Sequence, residues 1–224
     1  MAMSENKQKM LRGELYHAFT DELVAERSRT KHAYTRYNNA SDITRRELTV
    51  LWRDVTQDKT PLPPPASTTA EDDKLFENDP WIEPPVRMDY GYNVILGDNV
   101  FVNWNSIFAN TCPVTIGSRT LCGPNCSFYS GYHPLDPVVR NGTQGPELGK
   151  PITIGEDCWL GGGVTILPGV TIGRGCTIAG NPARVLRKIE TSMDPTQKEV
   201  EGSKDQVQGA EKPMAEMAEK AAAV

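Results

Sequence analysis

One histidine of this sequence lies in a setting suited to acid–base chemistry. The chain has three histidines, and two of them, His17 and His32, fall in a charged stretch typical of a helix. The third, His133, lies in Gly131-Tyr-His-Pro, where glycine and proline indicate a loop. A neutral imidazole can accept the proton of a hydroxyl group while that oxygen attacks an electrophile. A lone loop histidine is also a common surface residue, so its surroundings must decide between the two interpretations.

The five cysteines do not follow a pattern typical of metal binding or of disulfides. Their number is odd and no two are spaced as Cys-x-x-Cys, which indicates reduced thiols. They all fall at small or aliphatic positions of the six-residue repeat described below, at Cys112, Cys122, Cys126, Cys158 and Cys176. We therefore expect small buried side chains at these places, and neither ligands nor nucleophiles.

Composition and charge restrict the kinds of partner. The 224 residues carry a formal net charge of −5, which argues against the basic face that nucleic-acid binding requires. No apolar run approaches the roughly 18–20 residues that span a bilayer, and the first residues lack the apolar core of a signal peptide. The sequence therefore predicts a cytoplasmic protein with no nucleic-acid and no membrane partner.

Four zones follow one another along the chain. Residues 1–58 are charged and free of proline, which predicts helices. Residues 59–80 include consecutive prolines, which predict an extended linker. Residues 81–189 combine short apolar pieces with glycine, as β-strands joined by turns do. Residues 190–224 have little apolar surface, and we expect a mobile tail there.

Within the first zone, two stretches are the best helix candidates. They cover residues 21–38 and 42–55, and residues with capping propensity separate them. The second stretch has apolar side chains on one helical face, at Leu48, Leu51, Trp52 and Val55.

A six-residue repeat organises the third zone. Steps of six residues reach aliphatic side chains five times in succession, at Ile154, Leu160, Ile166, Ile172 and Ile178. The same step connects earlier positions, at Leu96, Val102 and Phe108 and again at Ile116, Cys122 and Phe128. This period indicates coils of three short strands, whose inward side chains are buried only when coils stack. Residues 129–150 interrupt the rhythm, so we expect them to protrude as a loop that carries His133.

The repeat resembles the [LIV]-G-x-x-x-x pattern of the hexapeptide-repeat acyltransferases. Longer stretches resemble one family of that class, the maltose/galactoside O-acetyltransferases. They are GELY (13–16), YGYN (90–93), NWN (103–105), CPVTIG (112–117), GYHPLDP (131–137), GKPITIGEDCWLGGGVTILPGVTIG (149–173) and AGNPARVLRKI (179–189). The resemblance covers residues 10–189 except the proline-rich segment. It implies a mainly β fold, a left-handed parallel β-helix with an N-terminal helical cap, and a homotrimer with active sites between subunits.

The resemblance also implies an activity and its residues. Family members transfer an acetyl group from acetyl-CoA directly to a sugar hydroxyl in a ternary complex. His133 matches the general base, and Asn103 matches a neighbouring residue that stabilises the transition state. Positions that match acceptor contacts are Asp89, Thr111, Phe101 and, with altered spacing, Asp21. Positions that match acetyl-CoA contacts are Trp159, Gly162, Gly180, Arg184 and Arg187.

Other members of the fold give alternatives. Its zinc-dependent branch requires three histidines, and the β-helix zone has one, so we expect no metal. Acetyltransferases of antibiotics or serine share the fold, but the GELY segment argues against them.

The sequence departs from the family where Ile178 runs directly into Ala179-Gly-Asn-Pro-Ala-Arg184. Family members have nearly one further coil at this point, with a Thr-Lys pair that contacts CoA. A repeat protein can lose one unit and keep its stacking. The loss predicts weaker CoA binding, and it leaves a non-catalytic trimeric scaffold as the alternative function.

Overall fold

The structure, a computed structural model, describes residues 3–188. The tail predicted at residues 190–224 lies outside the described residues. Within residues 3–188, no helix has both the length and the apolar character needed to cross a membrane.

The N-terminal zone forms three helices, α1 (Glu5–Arg12), α2 (Asp21–Asn38) and α3 (Arg45–Thr56). Helix α2 has the bounds expected from the sequence, whereas α3 begins three residues later than expected. The reason is a capping box: the Thr44 side chain accepts a hydrogen bond from the N–H of Glu47, whose carboxylate accepts one from the N–H of Thr44. The apolar face of α3 packs with Trp52 and Val55 against the β-helix core.

The proline-rich segment is attached to α3 along much of its length. Arg46 of α3 donates a 2.8 Å hydrogen bond to the carbonyl of Pro63 and forms a 2.7 Å ion pair with Asp72. Asp72 lies in a short helix, α4 (Thr69–Lys74), which begins after the prolines end. The prolines themselves lie outside any helix or strand, because their rings exclude a helix interior. The segment that the sequence predicts as a linker is therefore folded onto the helical zone.

The strands that follow wind as a triangular coil with three faces. Face 1 contains β1 (Trp81–Ile82), β4 (Phe101–Val102), β7 (Leu121–Cys122), β12 (Trp159–Leu160) and β15 (Cys176–Ala179). Face 2 contains β2 (Val86–Met88), β5 (Ser106–Ala109), β8 (Ser127–Tyr129) and β13 (Thr165–Ile166). Face 3 contains β3 (Val94–Leu96), β6 (Val114–Ile116), β11 (Ile152–Ile154) and β14 (Thr171–Ile172). Neighbouring strands on each face are parallel.

The aliphatic positions of the repeat fill the interior of the coil. All five from Ile154 to Ile178 are buried, and Phe108 and Phe128 stack with their ring centroids 4.7 Å apart. Leu96 is only partly buried, because it lies in the first strand of face 3 and has a neighbouring strand on one side alone. All five cysteines are free and buried, as expected of small interior side chains.

Two places break the regular winding. Between face 2 and face 3 of the third coil, an antiparallel hairpin of β9 (Gly131–Tyr132) and β10 (Leu148–Gly149) leaves the coil, with a short helix, α5 (Pro137–Arg140), between its strands. After β15 the chain reverses, and β16 (Arg184–Lys188) runs antiparallel to it. The reversal brings the N–H of Ala183 to 3.1 Å from the carbonyl of Thr165, and it forms one wall of an open pocket of about 160 Å³.

Candidate active site

The expected site residues lie at two different corners of the coil. The first corner joins face 1 to face 2 and includes residues 103–105, 123–125 and 161–163. The second corner joins face 2 to face 3 and includes residues 89–93, 110–113 and 130–151. Asn103 and Gly162 belong to the first corner, whereas Asp89, Thr111 and His133 belong to the second. A single chain therefore does not bring Asn103 and His133 together on one corner.

The β9–β10 hairpin at the second corner presents His133. The residue directly follows β9 and is exposed. Beyond it, Asp136 caps α5 by accepting a hydrogen bond from the N–H of Val138. The tip of this loop is apolar and accessible, since Leu135 is 94% exposed and Val138 is 81% exposed. The imidazole thus stands at the base of a projection whose outer side chains are left uncovered by residues 3–188.

The base of the hairpin is packed tightly on the second corner. A Cβ atom at Gly131 would lie 2.7 Å from the Thr111 hydroxyl oxygen, and one at Gly149 would lie 2.6 Å from the Cys112 sulfur. Ser130 also joins the two segments, because its hydroxyl donates to the Cys112 carbonyl at 2.8 Å and accepts from the Cys112 N–H at 2.9 Å. Glycines at these places let the backbone approach closely, and this fixes the direction in which the hairpin leaves.

A tyrosine from the N-terminal zone holds the returning side of the hairpin. Tyr16 and Glu147 exchange two backbone hydrogen bonds of 3.0 and 2.9 Å. The Tyr16 hydroxyl donates to Glu147 Oε2 at 3.0 Å and lies 3.2 Å from the Thr111 hydroxyl oxygen. Sequence reasoning missed both Tyr16 and Glu147 as site residues. The only signal was the tyrosine of the GELY segment; Glu147 carried none.

Asp89 lies half-buried at the second corner. The N–H groups of Asp89 and Tyr90 both donate to the side-chain oxygen of Asn110, which fixes the backbone of the corner. Burial raises the pKa of the Asp89 carboxyl group, the positive charge of Arg27 opposes this rise, and the negative charge of Glu147 adds to it. Arg27 itself donates to the Tyr90 hydroxyl at 2.5 Å and to the Ala18 carbonyl at 2.7 Å.

The remaining expected acceptor residues are further apart in the fold. Phe101 lies on β4 of face 1, two residues before Asn103. Asp21 is the first residue of α2, is exposed, and forms no hydrogen bond with the second corner among the described residues. Thr111 is buried, and its hydroxyl oxygen lies 3.2 Å from that of Tyr16.

The first corner offers hydrogen-bond donors. The Asn103 side-chain oxygen accepts from the N–H of Trp104 at 2.8 Å, which directs the amide nitrogen away from the backbone. Among residues 3–188, the backbone N–H of Gly162, two coils further on, has no hydrogen-bond partner. Both groups can donate to an oxygen that becomes negative during a reaction.

Two of the expected acetyl-CoA residues, Trp159 and Arg187, lie on one row across face 1. Trp159 is half exposed and pairs in register with Thr177, and Thr177 pairs with Arg187 of β16. Arg184 is exposed, and Gly180 occupies the reversal with φ +94°. The side chain of Arg187 is outside what the structure describes. Among residues 3–188, no group of three His, Cys, Asp or Glu side chains could hold a metal ion.

Stacked hexapeptide coils, helices before them and a histidine on a projecting hairpin define the class of hexapeptide-repeat acyltransferases. Two family models match the chain. The maltose acetyltransferase hexapeptide capping motif matches residues 9–55, and the bacterial transferase hexapeptide (six repeats) matches residues 151–181.

Relatives of similar length support the same class. A protein of Dictyostelium discoideum named as an acetyltransferase is 36% identical over 204 residues, which is 84% of this chain and 96% of the relative. The crystal structure of a maltose O-acetyltransferase from Clostridium difficile 630 is 33% identical, covers 85% of this chain and 100% of its own, and superposes with a TM-score of 0.68. A hexapeptide-repeat acetyltransferase of Vibrio cholerae, solved with acetyl-CoA, is 28% identical with a TM-score of 0.64, covering 84% and 100%.

This chain belongs to the maltose/galactoside O-acetyltransferase family, and it is an acetyltransferase. The fold class expected from the hexads, a mainly β helix of stacked parallel coils after N-terminal helices, is confirmed.

Proposed function

We propose that this acetyltransferase moves the acetyl group of acetyl-CoA to a hydroxyl group of a sugar, with His133 as general base. The observation that carries the proposal is the second corner, where His133 projects from a hairpin anchored beside the acceptor-type oxygens of Asp89, Thr111 and Glu147. Such oxygens suit a ligand with many hydroxyl donors. The family to which the chain belongs supports acetyl-CoA as donor, since the Vibrio cholerae relative was solved with it.

In this reaction, the His133 imidazole removes the proton of the acceptor hydroxyl as its oxygen attacks the thioester carbonyl carbon. The negative charge that develops on the carbonyl oxygen is stabilised by the Asn103 amide and the Gly162 N–H. The carbon–sulfur bond then breaks, and the leaving CoA sulfur takes the proton from the imidazolium. The products are the O-acetyl sugar and CoA, and no covalent enzyme intermediate forms.

The separation of the two corners supports a homotrimer with sites between subunits. Since Asn103 and His133 lie on different corners of one coil, each complete site needs the first corner of one chain and the second corner of another. The apolar tip at Leu135 and Val138 gives the projection a surface to bury against a second copy. Rotational symmetry then repeats the same contact and closes a ring.

In the proposed complex, acetyl-CoA lies along face 1. Trp159 would lie beside the pantetheine arm, and Arg184 and Arg187 on β16 would meet the phosphates, for which guanidinium groups are suited. The chain reversal after β15 replaces the extra coil of the family, so the Thr-Lys contacts are absent among the described residues. We therefore expect acetyl-CoA to bind more weakly than in relatives that have that coil. A cytoplasmic location remains a prediction.

Substitution of His133 tests the proposal. With glucose, maltose or a galactoside as acceptor, His133→Ala should lower kcat for CoA release by about 10²–10⁴-fold, the usual contribution of a general base. His32→Ala is the matched control, because His32 is exposed on α2 and should leave the rate unchanged. A His133→Ala enzyme that keeps the full rate would remove His133 from the mechanism.

Calorimetric titration with CoA separates this proposal from the scaffold alternative. The acetyltransferase proposal requires saturable binding of CoA by the full chain. A folded oligomer with no heat of binding at about millimolar CoA would instead support a non-catalytic scaffold, because millimolar affinity corresponds to only about −4 kcal/mol.

A further inference from the structure

The proline-rich stretch at residues 60–66 is attached to the helical zone through every third residue. Three hydrogen bonds of 2.9, 2.8 and 2.8 Å hold it, and they connect Arg53 to the carbonyl of Thr60, Arg46 to the carbonyl of Pro63, and the N–H of Ala66 to Asp72. Of these seven residues, Pro63 and Ala66 are half-buried and the other five are exposed. The stretch is therefore fixed along one side and open to solvent elsewhere.

The composition of the stretch restricts its backbone to one conformation. A proline ring holds φ near −65°, and a residue that precedes proline is confined to the β or polyproline II region. Four residues of the stretch precede a proline, and the four peptide bonds concerned are trans. Polyproline II has three residues per turn, which agrees with contacts at every third residue. The other two sides of the helix then carry Pro61 with Pro64 and Leu62 with Pro65, and we call these four residues the proline ridge.

The proline ridge offers apolar surface together with free hydrogen-bond acceptors. Its four side chains are exposed, that of Leu62 by 38%. Among residues 3–188, no donor reaches the carbonyl of Leu62 or that of Pro65, whereas the carbonyls of Pro61 and Pro64 accept long hydrogen bonds of 3.5 and 3.4 Å. Aromatic-lined grooves recognise this combination, because proline rings lie between their aromatic side chains and indole or phenol groups donate to the carbonyls.

The attachment to the helices favours recognition of the proline ridge. A free peptide loses conformational freedom when it binds, and this cost lowers its affinity. Here the proline rings and the contacts with the helices have already ordered the backbone. The ridge is thus presented in the conformation in which polyproline II ligands are bound.

Charge restricts the partner further. Residues 58–77 contain five carboxylates and two lysines. The carboxylates of Asp58, Glu71 and Asp73, which flank the ridge in sequence, belong to exposed residues. Like charges that face each other across an interface are costly, whereas opposite charges favour association. A groove with an acidic rim would therefore be repelled, and a groove with a basic rim would be attracted.

We propose that the proline ridge is a docking site for a second protein, whose aromatic-lined polyproline II-binding groove has a basic rim. The rings of Pro61 and Pro64 and the side chains of Leu62 and Pro65 would enter that groove. Docking is a function separate from acetyl transfer, and it would bring the enzyme to the place where the partner lies.

Titration of the full-length protein with purified WW domains, which have grooves of this kind, tests the proposal. A WW domain with a basic rim should bind saturably. Leu62→Ala and Pro64→Ala should each weaken binding about tenfold, because each removes apolar surface that the groove covers. Leu75→Ala is the matched control, since Leu75 is 45% exposed in the same region of the chain but outside the ridge, and its loss should not change the affinity. Added salt should weaken binding by screening the carboxylates.

A second variant separates a presented ridge from a proline-rich peptide that happens to bind. Arg46→Gln removes the hydrogen bond to the Pro63 carbonyl and the ion pair with Asp72. The affinity for the same WW domain should fall about threefold to tenfold, because the released stretch must be ordered again on binding. Circular dichroism checks that the variant is folded, and Asp72→Asn, which weakens the same attachment, replaces it if it is not. Unchanged affinity in a folded variant would contradict the presented ridge.

Three results would overturn the docking site. One is the absence of saturable binding by every basic-rimmed WW domain at concentrations up to about 1 mM. Another is equal affinity for the wild-type protein and the folded Leu62→Ala and Pro64→Ala variants. The third is a preference for a proline-binding SH3 domain with an acidic rim, which would refute the partner inferred from charge. None of these measurements involves acetyl-CoA, so the proposed acetyl transfer is tested separately.

Discussion

The first and second corners each recur once in every turn of the coil, but their structures are very different. At the first corner the chain bends within three residues, and Asn105, Asn125 and Gly163 all take the left-handed conformation with φ of 60°, 59° and 70°. At the second corner each coil differs, from a short 3-10 turn at Gly91–Asn93 to the long excursion that carries His133. The regular corner offers fixed donors, and the irregular corner carries the proposed base.

Stacking explains this difference. At the first corner successive coils lie against each other, and a Cβ atom at Gly123 would lie 2.7 Å from the backbone nitrogen of Gly162. Residues inserted there would break the parallel ladders on both sides. An inserted segment at the second corner points away from the stacked coils, so it can be long. It then needs contacts with residues outside the parallel ladders to hold it in place. Tyr16 and Ser130 give that support.

After the loss of kcat expected for His133→Ala, the next largest effect is expected at Asn103, and it tests whether the first corner acts in catalysis. Asn103→Asp keeps the oxygen that accepts from the Trp104 N–H and replaces the amide donor with a negative charge. We expect kcat to fall by about 10²–10³-fold with an unchanged melting temperature, as for loss of an oxyanion donor. Asn105→Gly is the control, because glycine tolerates the φ of 60° at the same corner. Equal rates for Asn103→Asp and wild type would restrict catalysis to the second corner.

An intermediate effect tests whether the hairpin depends on its tight base. Gly149→Ala places a methyl group 2.6 Å from the Cys112 sulfur and 3.0 Å from the Ser130 carbonyl oxygen, so the hairpin must shift. The expected result is about a tenfold loss of kcat/KM with a destabilisation of about 1–3 kcal/mol, typical of overpacking. Gly173→Ala is the control, since its Cβ would meet no atom within 4 Å. Thermal unfolding and kinetics on both variants give the measurement, and full activity in Gly149→Ala would show that the position of His133 tolerates displacement.

The smallest effect concerns the electrostatic cost of the second corner. The pKa of Asp89 is raised in the folded chain, so ionising this carboxyl group costs more in the folded state than in the unfolded state. The ionised form therefore destabilises the fold at pH values above the ordinary pKa of an aspartate. At pH values below that pKa, the group is protonated and the cost is absent. Asp89→Asn should therefore raise the melting temperature near neutral pH, by an amount on the order of 2–4 °C for about 1 kcal/mol. The gain should disappear below about pH 3, where wild-type Asp89 is protonated in both the folded and the unfolded state. A gain that is equal at all pH values would contradict the electrostatic explanation.

The regular parts of the fold can be predicted from the sequence more directly than the irregular parts. The hexad positions predict the buried row from Ile154 to Ile178, because each coil repeats the same local geometry. The interruption of that rhythm likewise predicts an excursion around His133. The support of the excursion could not be predicted, because Tyr16 and Glu147 are 131 residues apart and no periodic pattern connects them. The fold of residues 59–80 onto α3 depends in the same way on a distant pair, Arg46 and Asp72.

Complementation between two inactive variants tests most directly whether a complete site combines corners of different chains. In mixed trimers of His133→Ala and Asn103→Asp chains, about a quarter of the clefts would combine a native His133 from one chain with a native Asn103 from its neighbour. Coexpression should therefore restore roughly that fraction of wild-type activity, although each variant alone is nearly inactive. Mixed oligomers, verified by native mass spectrometry, that show no recovery would contradict the two-chain site.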